Sequence, residues 1–133
     1  MKLLWLDDAR NPHEDDWLVM APIPRDQISE VIWVKSYQEF VDWIIHNGLP
    51  DGICFDHDLA DEHYNPAMYS GVEAYNEVAK NFKEKTGMDC AKWLVEYCMD
   101  YNKKLPFFKS QSANPAGREN ILGYLENYKK MSG

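Results

Sequence analysis

The 133-residue chain predicts a single α/β domain: a parallel sheet of about four strands in the order 2-1-3-4, flanked by helices. Three observations carry this expectation. Short apolar runs alternate with longer segments of helical periodicity, which is the signature of βαβ units with right-handed crossovers. The residues between the runs carry recognisable helix starts and stops. Two of the runs end in acid, at Asp7-Asp8 and at Asp56-His57-Asp58, where the carboxyl ends of parallel strands would line a ligand site.

Residues 3–7 and 31–35 read as buried strands, and the stretch between them is irregular because Asn11-Pro12 and Ala21-Pro-Ile-Pro24 oppose a regular helix. Asp15 to Met20 suits a short turn. Ser36-Tyr-Gln-Glu39 is a capping-box pattern that opens a helix with Tyr37, Phe40, Val41 and Ile44 on one face, ended by Gly48. Leu49-Pro-Asp-Gly52 turns into the strand that closes on Asp56. Residues 59–85 then depart from simple alternation: Asn65-Pro66 and Ser70-Gly71 mark loop, and Val72, Tyr75, Ala79 and Phe82 suggest one amphipathic helix inside it. This is an insertion beside the site, with the dimensions of a lid. Thr86-Gly-Met-Asp89 opens a helix facing inward through Ala91, Leu94, Val95, Cys98 and Tyr101. Pro106 to Ser110 reads as the fourth strand. Asn114 then caps, and Pro115 begins, a last helix with Ile121, Leu122, Leu125 and Tyr128 inward.

A hydrophobic fraction of 45% and a charged fraction of 27% describe a soluble globular chain, and no apolar run reaches the length of a membrane span. Met1 to Leu6 begins like a signal peptide, but Asp7-Asp8 interrupts it, so it is read as the first strand. Cys54, Cys90 and Cys98 lack metal-ligand spacing and fall at core positions, which predicts buried, reduced thiols and a cytoplasmic setting. A net charge of −8 disfavours broad binding along a nucleic-acid backbone. It leaves open the recognition of a single phosphate, on a small molecule or an RNA end.

Carboxylates crowded at one sheet edge repel unless protons or a cation neutralise them, and hard oxygen ligands suit Mg²⁺ or Mn²⁺. Asp8 and Asp56 are the expected direct ligands, with Asp7 through water and Asp58 as a further ligand or a loop-stabilising group. His57 is a candidate proton carrier beside Asp56, although strict strand alternation would turn it away from the side Asp56 faces. Four histidines on an alternating α/β chain do not supply the helical ligand set of an HD-domain phosphohydrolase. Ser110, Ser112 and Asn114 precede the last helix, whose N-terminus suits a phosphate, with Lys109, Arg118 and Arg10 adding charge. Helix capping, and for Arg10 a pairing with Asp7 or Asp8, are the plainer roles for these groups.

With these residues assembled, the chain resembles response-regulator receiver domains. An acidic pair (Asp7, Asp8) follows the first strand, an aspartate at the phosphoacceptor position (Asp56) the third, and a hydroxyl (Ser110 or Ser112) the fourth. It is more similar to the divergent cyclic-phosphate processing receiver branch, through Leu4-Trp-Leu-Asp7-Asp8-Ala-Arg10-Asn-Pro12, Phe55-Asp56-His57-Asp58-Leu59 and Ser112-Ala-Asn114-Pro115-Ala-Gly117-Arg-Glu-Asn120-Ile121. The resemblance implies a flavodoxin-like fold and action on cyclic phosphates, such as 2′,3′-cyclic ends met in RNA processing. Two departures stand out. No fifth strand carries the usual receiver lysine, and Gln111 stands where the branch is expected to carry histidine. Two functions follow: a metal-dependent phosphoesterase using Asp56 and His57, or a receiver-like module that binds metal and phosphate without turnover.

Overall fold

The computed structural model describes residues 1–60, 63, 66–80 and 84–132. The expectations placed on Asn65 and Phe82 lie outside them. Four strands, β1 (Lys2–Leu6), β2 (Glu30–Val34), β3 (Gly52–Phe55) and β4 (Phe107–Ser110), form one sheet in the order β2-β1-β3-β4. All neighbours run parallel, as βαβ connections require. Each strand lies within one residue of its expected span.

The helices are α1 (Tyr37–Asn47), α2 (Val72–Ala79), α3 (Gly87–Asp100) and α4 (Pro115–Ser132). Their ends have local causes. Ser36 accepts a bond from Glu39 N at 3.1 Å, and Gly48, with φ of 83°, ends α1 in a conformation that favours glycine. Thr86 and Asp89 form a complete capping box on α3. Asn114 Oδ1 accepts from Gly117 N at 3.0 Å and starts α4.

Strand alternation sorts the core into two layers. Leu4, Leu6, Ile53 and Phe55 pack beneath α1, α3 and α4 with Phe40, Leu94 and Ile121. Leu3, Trp5 and Cys54 face the opposite way, covered by Ala21, Ile23, Trp17 and Leu18 from the irregular β1–β2 connection, which contains short 3₁₀ turns at Trp17–Met20 and Arg25–Gln27. The prolines that oppose a helix there leave a wrapped segment as the cover of that face. Cys54, Cys90 and Cys98 are buried free thiols, and burial pushes Cys54 up to about 12 and Cys98 to about 11. Among the described residues no helix is long and apolar enough to cross a membrane.

Candidate active site at the carboxyl edge of the sheet

The ladder runs one rung past the assigned strands. Asp7 N donates to Val34 O at 3.0 Å and Asp56 N to Leu6 O at 2.9 Å, so Asp7 and Asp56 leave the sheet side by side, directly beyond the paired Leu6 and Phe55. Alternation gives both the orientation of Trp5 and Cys54. Asp7, Asp8 and Asp56 each offer an oxygen, all within 4.8 Å of one another.

The turn after β1 is fixed from several sides. Asp7 Oδ1 accepts from Ala9 N at 3.0 Å and Arg10 N at 2.8 Å. Trp33 Nε1 donates to Asp7 O at 2.7 Å, and Trp5 Nε1 to Arg10 O at 3.0 Å. The Arg10 guanidinium lies over the Trp17 ring, with Nη1 3.3 Å from Asp7 Oδ2 and 3.8 Å from Asp56 Oδ1. Arg10 therefore pairs with the cluster directly.

Asp56 is strongly perturbed. Burial, reinforced by the charge of Asp7 and opposed by Arg10, pushes its carboxyl up to about 8. Among the described residues, its Oδ2 is buried with no hydrogen-bond partner. A buried carboxylate oxygen without a donor, beside two further carboxylates, has the oxygen donor set of a hard divalent cation. The cluster could bind a metal ion, and Asp7, Asp8 and Asp56 are the residues that would hold it.

A family model for the cyclic-phosphate processing receiver domain matches residues 2–127. The chain belongs to this family. No curated protein and no solved structure matched it.

The other expected site residues of this cyclic-phosphate processing receiver domain fall into two groups. Asp58 lies outside the group formed by Asp7, Asp8 and Asp56. Its Oδ1 accepts from Asn114 Nδ2 at 3.0 Å and Tyr75 OH at 3.2 Å, and lies 3.1 Å from His57 Nδ1, so its oxygen is committed. His57 continues the alternation of Ile53 and Phe55 and enters the layer of α3 and α4. There it packs edge-on against Tyr75 and over Gly117, where a side chain would collide with its ring. It is 2% exposed and lines a cavity whose other residues come from α2, α3, α4 and Glu84 to Thr86. Among the described residues, none bonded to Asp56 is bonded to it.

The hydroxyls and the helix start are also engaged within the fold. Ser110 Oγ donates to Phe55 O at 2.7 Å and accepts from Ser112 N at 3.2 Å, while Ser112 Oγ accepts from Asn114 N at 3.1 Å. With Asn114 capping Gly117 N and accepting Arg118 N at its carbonyl, two amides of the first turn of α4 are satisfied internally. Asn114 takes the plainer capping role, while Ser110 ties the turn before α4 to the end of β3. Lys109 pairs in register with Cys54 and is exposed, one rung below the edge and away from Ser110, so it does not join them. Arg118 is exposed on the first turn of α4.

Sequence reasoning passed over three contributors. Gln111 occupies the rung level with Asp56 and faces the same way. Its Nε2 donates to Leu6 O at 2.9 Å and to Asp7 Oδ2 at 3.3 Å, so it braces the cluster from the third side. Tyr75, expected only as an inward helix residue, donates to both Asp58 and His63 O, the latter at 2.8 Å. Gly87 allows α3 to start against the chain at Asp56 and His57: a Cβ there would overlap the Asp56 carbonyl oxygen and lie 3.0 Å from His57 Cα. For Gln111 the signal was available, since a polar side chain one residue past a buried strand end, in phase with Asp56, must find a polar partner.

Proposed function

We propose that this domain is a metal-dependent phosphoesterase that opens cyclic phosphates, such as the 2′,3′-cyclic ends of RNA or nucleotides, at the Asp7–Asp8–Asp56 cluster. The observation that carries the reading is the buried, unpartnered Asp56 Oδ2 set among three carboxylates with Arg10 beside them. A divalent cation bound there would offset the crowded charge and polarise a phosphoryl oxygen. Arg10 turns from the carboxylates to a second phosphoryl oxygen, and Gln111 keeps Asp7 oriented throughout. Opening the ring forms one phosphorus–oxygen bond and breaks the bond to one ribose oxygen, which takes up a proton and leaves a phosphate monoester. Asp56 serves either as the group that draws the proton from attacking water or as the attacking oxygen, in which case water then cleaves the acyl-phosphate bond to release the monoester and restore the carboxylate. His57, held by Asp58 in a separate network, is assigned no step at the cluster.

A second reading has its own observation. Because His57 is engaged away from Asp56, the domain would bind metal and phosphate without turnover. Hydrolysis of 2′,3′-cyclic mononucleotides with Mg²⁺ or Mn²⁺ separates the two. Metal-dependent opening that is lost in Asp56→Asn supports the enzyme, and metal binding with no opening supports the module.

A further inference from the structure

Among the described residues the sheet ends on β4, and no strand pairs with its far side. Phe107 N donates to Asp51 O at 3.0 Å, so the backbone of Phe107 faces β3 and alternation turns that of Phe108 outward. Among the described residues, no turn or cap bonds the Phe108 amide or carbonyl. Sheet edges are commonly blunted by proline and lysine, and Pro106 and Lys109 stand here. Yet Phe107, between them, is 59% exposed and gives the edge an apolar surface that blunting would avoid.

A groove of ≈450 Å³ runs along this edge and reaches both faces of the sheet. Pro22, Phe107 and Lys109 line it on the face of Cys54, and Phe108, Glu126 and Lys129 on the helical face. A strand laid there sends alternate side chains to the two walls, while its backbone meets that of Phe108. The charge of the groove is opposite to that of the chain. In a protein of net charge −8, Lys104, Lys109 and Lys129 line it against the one carboxylate of Glu126. Among the described residues Lys104 and Lys109 form no ion pair, and Lys129 lies 6.0 Å from the centre of the Phe108 ring. A second copy of the edge would bring the same three lysines to it, whereas a segment carrying carboxylates complements them.

We propose that the outer edge of β4 is a docking site for an extended acidic segment of a partner protein, which adds a fifth strand to the sheet through the Phe108 backbone and sets its carboxylates among Lys104, Lys109 and Lys129. The edge lysines thus serve two ends: they repel a second copy and admit an acidic strand. The proposal does not rest on the function assigned to the carboxylate cluster.

The test is an NMR titration of the full chain with a short capped peptide of glutamate and valine in alternation, beside one with lysine in place of glutamate and one with proline in place of the central valines. The acidic peptide is expected to bind saturably, to shift the amides of Phe107 to Ser110, and to slow hydrogen exchange at the Phe108 amide by about tenfold or more. The lysine peptide lacks the charge and the proline peptide the strand donors, so each should bind about tenfold more weakly or not at all. Lys104→Glu/Lys109→Glu, at two exposed positions, should weaken the acidic peptide by about tenfold while leaving the thermal transition in place. The proposal is overturned if the acidic peptide does not bind, if the lysine or proline peptide binds as well, or if binding leaves exchange at Phe108 unchanged. Protection of Phe108 by a dimer of the protein alone would overturn it in favour of a second copy.

Discussion

Asp56 and His57 are neighbours in the chain, yet their side chains serve separate networks: Asp56 Oδ1 lies 3.8 Å from Arg10 Nη1 in the acidic cluster, whereas His57 Nδ1 lies 3.1 Å from Asp58 on the helical side. The period of two in a strand produces this division. It gives the edge of the sheet two polar sites with one backbone between them.

The raised Asp56 carboxyl makes stability of the metal-free protein pH-dependent. Its ordinary value is 3.8 and the folded value about 8, so across that window the folded state keeps a proton that the unfolded chain has lost. Stability from this group is fully present below the lower value and falls, at up to about 1.4 kcal/mol per pH unit, as pH rises toward the upper one. Asp56→Asn should flatten that decline, so that in chelator the variant melts above wild type near pH 8. Thermal melts across the window check this, and equal slopes for the two proteins would refute it.

Asp58 anchors its network through one oxygen. Asp58→Ala leaves the Tyr75 hydroxyl, the Asn114 amide and the His57 ring without their acceptor, at an expected cost of about 3 kcal/mol. Tyr75→Phe removes only the hydroxyl and should cost about 1 kcal/mol. Urea unfolding that ranks the two the other way would contradict the assignment.

The two close-approach glycines should respond differently to a methyl group. At Gly87 the added Cβ meets backbone at Asp56, which cannot yield, so Gly87→Ala should cost about 3 kcal/mol or prevent folding. At Gly117 the Cβ meets a side chain rather than backbone, closest at His57 Cγ with its Cδ2 at 2.6 Å and its Cβ at 2.7 Å, so His57 yields only by shifting as a whole. Gly117→Ala should fold, with displaced His57 imidazole resonances. An unshifted His57 in that variant would show that the contact is not made.

Gln111 braces Asp7 while its own Oε1 is buried without a partner among the described residues. Gln111→Leu should weaken Mn²⁺ binding about tenfold, the usual scale for losing a group that orients a ligand, with a stability change of about 1 kcal/mol or less. Titration monitored by Mn²⁺ relaxation measures it, and unchanged affinity would remove Gln111 from the site.

The strand order and the meeting of Asp7 with Asp56 were legible in the sequence because both follow from local patterns: acid at the end of an apolar run, helices between runs, and right-handed crossovers. The direction of His57 was legible for the same reason, since it lies one step past Asp56 in a period of two. The role of Asp58 was not. Its partners Tyr75 and Asn114 come from 17 and 56 residues away, and no local pattern encodes that meeting. Lys109, next to Ser110 in sequence, pairs with Cys54 and so points to the face opposite Ser110. The basic groove along β4 escaped because its lysines sit on separate elements and read singly as solvated surface.

The most direct test of the central claim is to follow adenosine 2′,3′-cyclic phosphate by ³¹P NMR with the protein and Mg²⁺ or Mn²⁺, beside Asp8→Asn and Asp56→Asn. The account predicts that the cyclic resonance is replaced by that of a monoester with wild-type protein and metal, and persists with either variant or with chelator. A cyclic resonance that persists in every sample, or disappears equally in the variants, would contradict it.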